Sequence, residues 1–90
     1  MNASPVRIPI EGILDLHTFS PKDVKILLLE YLSLCREKGI CEVKIIHGKG
    51  SGVLKDFVRK QLEKIDFVEG FKDAELNDGG WGATIVFLKG

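Results

Sequence analysis

The sequence has few cysteines, no long apolar stretch and no net charge, and each absence excludes a class of protein. Cys35 and Cys41 are too few for a disulfide scaffold, and no Cys-x-x-Cys pair indicates zinc or redox chemistry. No apolar run approaches the roughly 18 residues of a membrane-spanning helix, and residues 1–7 lack the basic and then apolar order of a signal peptide. We therefore expect a cytoplasmic protein without membrane association.

The charge balance argues against a protein that holds nucleic acid by bulk attraction, because thirteen basic and thirteen acidic residues cancel. Their distribution is uneven. Residues 44–60 contain five basic residues and one acidic residue, a net charge of +4, whereas residues 66–78 contain five acidic residues and one basic residue, a net charge of −4. These clusters form either a basic surface beside an acidic one or a solvated surface with chance clustering.

The hydrophobic pattern predicts one α/β domain. Ninety residues, of which 44% are hydrophobic, can bury one core and are too few for two. Apolar periodicity and turn residues predict a strand over 13–17, a helix over 21–38, a strand over 43–46, a helix over 53–65, a strand near 67–74, a turn at 77–80 and a strand over 83–88. Ser20 and Ser51 are the predicted helix caps. The expected architecture is a βαβαββ two-layer sandwich, with a four-stranded mixed sheet and two main helices.

The segment before the first strand, residues 1–12, carries an apolar alternation around Ile8. Ile26 and Leu29 lie on the otherwise charged face of the first predicted helix, so they need a cover. We predict that residues 1–12 pack on this helix and supply that cover, whereas residues 13–90 form the domain. A partner molecule is the alternative cover.

The two histidines of the chain are predicted to lie at one edge of the sheet. A strand that returns after a helix normally runs parallel to the first strand, so His17 and His47 both follow strand ends that point the same way. Ligands collect at this edge in open α/β folds. Strand alternation places Asp15 on the same face as His17, where its carboxylate can orient the imidazole or raise the imidazole pKa. Because the strand is expected to be covered on both faces, Asp15 needs a partner, and capping of a neighbouring loop is the structural alternative.

A glycine-rich loop joins the second predicted strand to the second predicted helix. Residues 47–52 read His-Gly-Lys-Gly-Ser-Gly. Glycines let the backbone approach an anion closely, and a helix start presents free N–H groups, so a phosphate fits this loop. The loop lacks the Gly-Lys-Ser/Thr ending and the glycine spacing of a Walker A motif, which argues against an ATPase or GTPase.

Three residues beyond this loop are predicted to contact nucleic acid. Lys55 and Arg59 share one face of the second helix, where they can follow a phosphate backbone. Trp81 lies among glycines and offers either a ring for stacking on a base or a cover for the core. The complete predicted phosphate- and nucleic-acid-binding set is Gly48, Lys49, Gly50, Ser51, Gly52, Lys55, Arg59 and Trp81.

These motifs resemble those of the small MutS-related (Smr) domain family, whose markers are Leu-Asp-Leu-His-Gly and His-Gly-Lys/Arg-Gly. Residues 14–17 match the first marker, with Thr18 in place of its glycine, and residues 47–50 match the second throughout. Residues 79–84 resemble the glycine-rich start of the family's final strand. The resemblance covers about residues 13–88. It implies a compact βαβαββ domain, found alone or attached to larger proteins, with endonuclease activity on DNA or RNA and, in some members, ribosome-linked cleavage of messenger RNA.

The residue types at the predicted site suit acid–base catalysis. Two histidines, one aspartate and one lysine without a carboxylate cluster differ from the donor set of two-metal hydrolysis. We therefore predict an endonuclease that requires no cofactor, with Asp15, His17 and His47 as catalytic residues, and the alternative is a single divalent ion held by these three side chains. RNA is favoured over DNA because its 2′-hydroxyl is an internal nucleophile. One histidine would deprotonate this hydroxyl and the other would protonate the leaving oxygen, while Lys49 and the loop N–H groups stabilise the charge.

Two other classes of function fit the same sequence. A module that binds nucleic acid or the ribosome without cutting would use the same loop. A protein-interaction domain would use Ile26 and Leu29. The expected assembly is a monomer or a weak homodimer.

Overall fold

The chain folds as a mixed sheet with two helices on one face. In this computed structural model, which describes residues 10–90, the elements are β1 (Ile13–Asp15), α1 (Pro21–Glu37), β2 (Glu42–Ile46), α2 (Val53–Glu63), β3 (Val68–Asp73) and β4 (Ala83–Leu88). Two short 3-10 turns, Leu76–Asp78 and Gly80–Gly82, connect β3 to β4 in place of the tighter predicted turn. The predicted fold class is confirmed. Neither α1 nor α2 has the length and apolar character that a membrane span requires.

The strand order is β1-β2-β4-β3. β1 and β2 are parallel, and β4 is antiparallel to both of its neighbours. The backbone N–H of Leu16 donates to the carbonyl of Ile46 at 2.8 Å, so the parallel pairing continues just past the end of β1. The chain segments that follow β1 and β2 therefore leave the sheet at one edge, as the sequence predicted.

The core lies between the sheet and the helices. Its fully buried side chains come from all layers: Leu14, Leu16, Val24, Leu28, Leu32, Val43, Ile45, Val58, Leu62 and Val86. In β1 only the middle residue, Leu14, is buried, because it faces the helices while Ile13 and Asp15 lie on the opposite, open face. The expectation that this strand is covered on both faces is wrong, and Asp15 is half exposed rather than buried.

Both helix starts differ from the predicted caps. Ser20 occupies the N-cap position of α1, but its hydroxyl donates to the Asp23 carboxylate at 3.0 Å and bonds no backbone N–H. The N-cap of α2 is Gly52, with a φ of +92°, and not Ser51. A left-handed residue turns the chain from the loop into the helix, which favours glycine. As a consequence, no side chain among residues 10–90 caps the first turn of α2.

The hydroxyl of Tyr31 fixes the approach to β1. It accepts hydrogen bonds from the N–H groups of Gly12 and Ile13, both at 3.0 Å, and donates to the Ile13 carbonyl at 3.0 Å. Residues 1–9, which form most of the segment predicted to pack on α1, lie outside the described residues. Ile26 and Leu29 are 60% and 47% exposed, so their predicted cover stays a prediction.

Candidate functional site

A cleft of about 510 Å³ opens beside the ends of β1 and β2. Its lining comprises His17, Phe19, Pro21, His47, Gly48, Lys49, Gly50, Ser51, Gly52, Val53, Leu54, Lys55 and Phe57. The two motifs are neighbours here, because a Cβ built on Gly48 would lie 3.5 Å from the Cβ of His17. The structure thus brings His17, His47 and the glycine-rich loop to one cleft.

Asp15 and His17 form an exposed pair beside this cleft. The ring Nδ1 of His17 lies 2.5 Å from the Asp15 carboxylate, which also accepts the backbone N–H of His17 at 3.1 Å. Burial raises the pKa of Asp15, but the hydrogen bonds from His17 outweigh burial, so this pKa lies below its ordinary value. An ionised carboxylate can only accept, so it holds the ring proton on Nδ1. Nε2 of His17 has no hydrogen-bond partner within residues 10–90 and is available to take a proton.

His47 differs from His17 because it is 4% exposed and both ring nitrogens are engaged. Nε2 lies 2.8 Å from the hydroxyl of Thr84, and Nδ1 lies 3.2 Å from the carbonyl of Gly48. Burial and the nearby charges of Lys55 and Arg59 lower the pKa of His47 and outweigh the Gly48 hydrogen bond and the Asp73 charge, which raise it, so the neutral ring is favoured. The cleft therefore contains one free histidine rather than the two that the sequence suggested.

The turn before β4 holds the loop in place. The carbonyl of Gly82 accepts the N–H groups of His47 at 3.0 Å and Gly48 at 2.9 Å. A Cβ on Gly82 would lie only 2.9 Å from Cγ of Lys49, so the turn and the loop are in close contact. Sequence reasoning missed the roles of Gly82 and Thr84. The available signal was Thr84 itself, the one polar residue in the apolar run of β4.

The loop that lines the cleft has backbone N–H groups without a hydrogen-bond acceptor among the described residues. From Lys49 to Gly52, no acceptor within residues 10–90 bonds these groups, and the first turn of α2 has no side-chain cap. The start of a helix also carries a partial positive charge. The Lys49 side chain is exposed and forms no ion pair in the described part of the chain. Together these features fit an anion such as a phosphate.

Lys55 and Arg59 share one face of α2, as predicted, but their charged groups contact β3 instead of lying open to solvent. Lys55 is buried, and its Nζ lies 3.0 Å from the Asp73 carboxylate. Arg59 contacts the same carboxylate at 2.6 Å, and both cations lower the pKa of Asp73. The basic cluster of the sequence thus faces the acidic cluster across α2 and β3, and their charges partly cancel. This pairing leaves Lys49 as the free cation of the loop.

Trp81 lies beside the loop and is 43% exposed. A Cβ on Gly52 would lie 3.2 Å from the indole, and Nζ of Lys55 lies 4.2 Å from the ring centroid. The ring therefore rests on the loop and on a buried cation while part of its surface meets solvent.

The alternative of a single divalent ion held by Asp15, His17 and His47 stays a prediction. Within residues 10–90, no three histidine, cysteine, aspartate or glutamate side chains are grouped so that they could hold a metal ion. Both nitrogens of His47 are already used, as described above.

The fold and these motifs have counterparts in known proteins. A model of the Smr domain matches residues 14–89. The chain belongs to the Smr domain family. This Smr domain is 40% identical over 76 residues to endonuclease MutS2 of Carboxydothermus hydrogenoformans and 42% identical over 76 residues to endonuclease MutS2 of Geobacillus kaustophilus. Each match covers 84% of the present chain and 10% of the relative, so the chain spans about a tenth of the length of these proteins.

Two crystal structures share the architecture of this Smr domain. The Smr domain of Thermus thermophilus MutS2 superposes with a TM-score of 0.84 at 30% identity, covering 89% of this chain and all of that one. YdaL, a stand-alone small MutS-related protein from Escherichia coli, superposes with a TM-score of 0.83 at 25% identity, covering 88% of this chain and 65% of that one. The family resemblance drawn from the motifs is confirmed.

Proposed function

We propose that this Smr domain is an endonuclease that cleaves RNA by acid–base chemistry without a required metal ion. The observation that carries the proposal is the pairing of a free imidazole nitrogen with an anion-binding loop in one cleft. His17 supplies the nitrogen, Asp15 holds the ring, and Lys49 stands on the loop. The similarity to proteins named endonuclease MutS2 supports cleavage of nucleic acid.

RNA carries its own nucleophile, the 2′-hydroxyl beside the scissile phosphate. With the phosphate against the loop N–H groups and Lys49, Nε2 of His17 takes the proton of this hydroxyl. The 2′-oxygen attacks phosphorus, the bond from phosphorus to the 5′-oxygen breaks, and the leaving oxygen takes a proton from water. Lys49 and the loop stabilise the added negative charge on the phosphate oxygens. The products are a 2′,3′-cyclic phosphate and a 5′-hydroxyl end.

The test is a cleavage assay on unstructured RNA, hairpin RNA and supercoiled DNA, each with and without a chelator. We expect RNA cleavage that persists in the chelator and leaves cyclic phosphate ends. The His17→Ala variant, purified in parallel, excludes a contaminating nuclease. Cleavage that stops completely in chelator would overturn the metal-free mechanism, and cleavage of DNA alone would overturn the choice of RNA.

Trp81 is expected to stack on a base of bound RNA. Replacing it by alanine should weaken the binding of a short 2′-O-methyl oligoribonucleotide by about 1–3 kcal/mol, the contribution of one base–aromatic stack. The Trp81→Phe variant keeps a ring and should retain most of the affinity. Fluorescence anisotropy measures both, with thermal unfolding as the check on folding. Equal affinity of the alanine variant and the parent would show that the ring only covers the loop.

A second candidate function is RNA binding without cleavage. The engagement of both His47 nitrogens favours it, because the cleft then has a single histidine to move protons. RNA binding in the anisotropy measurement, together with no cleavage in any condition of the cleavage assay, would support this candidate.

A further inference from the structure

A chain of polar groups runs beneath the loop from β3 to Gly48. The Asp73 carboxylate accepts from Nη2 of Arg59 at 2.6 Å. Arg59 in turn donates to the hydroxyl of Thr84 from Nη2 at 3.0 Å and from Nε at 3.3 Å. The hydroxyl lies 2.8 Å from Nε2 of His47, whose Nδ1 lies 3.2 Å from the Gly48 carbonyl. Thr84 is fully buried, so no water competes at this point.

The direction of every hydrogen bond in this chain follows from what each group can donate. A guanidinium has only donors, and a hydroxyl has two lone pairs and one proton. The two bonds from Arg59 use both lone pairs of Thr84, so the hydroxyl proton must point at Nε2 of His47. Nε2 is then an acceptor and carries no proton. The ring proton is on Nδ1, where it donates to the carbonyl of Gly48.

The opposite tautomer would lose both contacts. A proton on Nε2 would face a Thr84 oxygen that has no free lone pair. The bare Nδ1 would face the lone pairs of the Gly48 carbonyl, which would push the loop away from the ring. The N–H of Gly48 also donates to the Gly82 carbonyl. A displacement of Gly48 would therefore disturb the contact between the loop and the turn before β4.

We propose that Thr84 and Arg59 are positioning residues that hold His47 as the neutral, Nδ1-protonated imidazole and thereby hold the loop in its anion-receiving form. The statement about the loop rests on the proposed function, whereas the statement about the ring does not. His47 thus acts as a support for the loop, and the proton transfer falls to His17. The two histidines, which the sequence motifs do not distinguish, therefore have different roles.

The ring assignment is tested by proton–nitrogen NMR of the protein labelled with nitrogen-15 in histidine. We expect His47 to show a protonated Nδ1 and an unprotonated Nε2. The Thr84→Val variant keeps the shape of the side chain but removes the donor, and should change these signals. Thr84→Ser restores the hydroxyl and should restore them. Arg59→Ala should also change the signals, whereas Lys60→Ala, an exposed cation on the same helix, should not. A proton on Nε2 of His47 in the parent protein would overturn the proposal.

The loop assignment is tested by amide hydrogen exchange and by binding. In Thr84→Val, the amides of His47 and Gly48 should exchange about tenfold faster, and affinity for a short 2′-O-methyl oligoribonucleotide should fall about tenfold, as expected for the loss of one buried hydrogen bond. Thr84→Ser should match the parent in both. Unchanged exchange in Thr84→Val would overturn the link between ring and loop. A parent protein that has the expected ring signals but neither binds nor cleaves RNA would overturn the proposed function and leave the ring assignment supported.

Discussion

Replacing His17 by alanine is expected to slow RNA cleavage by about 10²- to 10⁴-fold, the usual contribution of a general base. Among the contacts of residues 10–90, Nε2 of His17 is the one imidazole nitrogen at the cleft without a hydrogen-bond partner, so no other histidine replaces it. The side chain is half exposed, and its loss should leave the fold intact. Single-turnover cleavage rates measure the effect, and thermal unfolding confirms that the variant is folded.

Two further variants serve as a comparison and a control for His17→Ala. Asp15→Asn removes the charge that orients the ring and should reduce the rate by less than His17→Ala does. Lys38→Ala changes an exposed cation at the opposite end of α1 and should cleave like the parent. If His17→Ala cleaves at the parental rate, the proton transfer assigned to His17 is wrong.

Replacing Gly82 by valine should destabilise the protein by about 1–3 kcal/mol, as overpacking of a tight contact does, and should also disrupt the site. A Cβ at this position meets Cγ of Lys49 at 2.9 Å and the carbonyl carbon of Gly48 at 3.3 Å. The Lys49 side chain can move, but the backbone before it is held because the N–H groups of His47 and Gly48 both donate to the Gly82 carbonyl. The added methyl groups therefore push the loop out of place, and cleavage should fall together with stability.

Gly70→Val is the matched control, because no atom of the described part of the chain lies within 4 Å of a Cβ built on Gly70 in β3. Urea denaturation measures the free energy of unfolding of both variants. A Gly82→Val protein that is as stable as the parent and cleaves at the parental rate would contradict the close contact between loop and turn.

Much of the fold follows from local pattern. The strand and helix periods are clear, and the parallel pairing of β1 with β2 follows from the helix between them, so the shared edge of His17 and His47 was predictable. The strand order was not predictable from local pattern, because β4 lies between β2 and β3 in the sheet. Asp15 is half exposed instead of buried because it lies on the face of β1 away from the helices.

The chemistry of the site depends on contacts between distant parts of the chain. The partners of Lys55 and Arg59 are on β3, and a helical wheel of α2 does not show which side β3 occupies. The state of His47 depends on Thr84, which is 37 residues away in the sequence. The residue type of His47 and its place beside a glycine-rich loop suggest catalysis, whereas its two hydrogen bonds favour the proposed role as a support for the loop.

The carbonyl of Gly82, which accepts two hydrogen bonds from the loop, also bears on the order in which the chain folds. The loop at residues 47–52 can form its local turn as soon as β2 and α2 exist, but both bonds that fix its first residues come from the segment that leads into β4. Contacts between residues far apart in sequence form late, because closing long segments of chain costs entropy. A ribosome-bound chain whose β4 is still in the exit tunnel would therefore lack an ordered loop. The order of the loop therefore depends on the completion of the sheet.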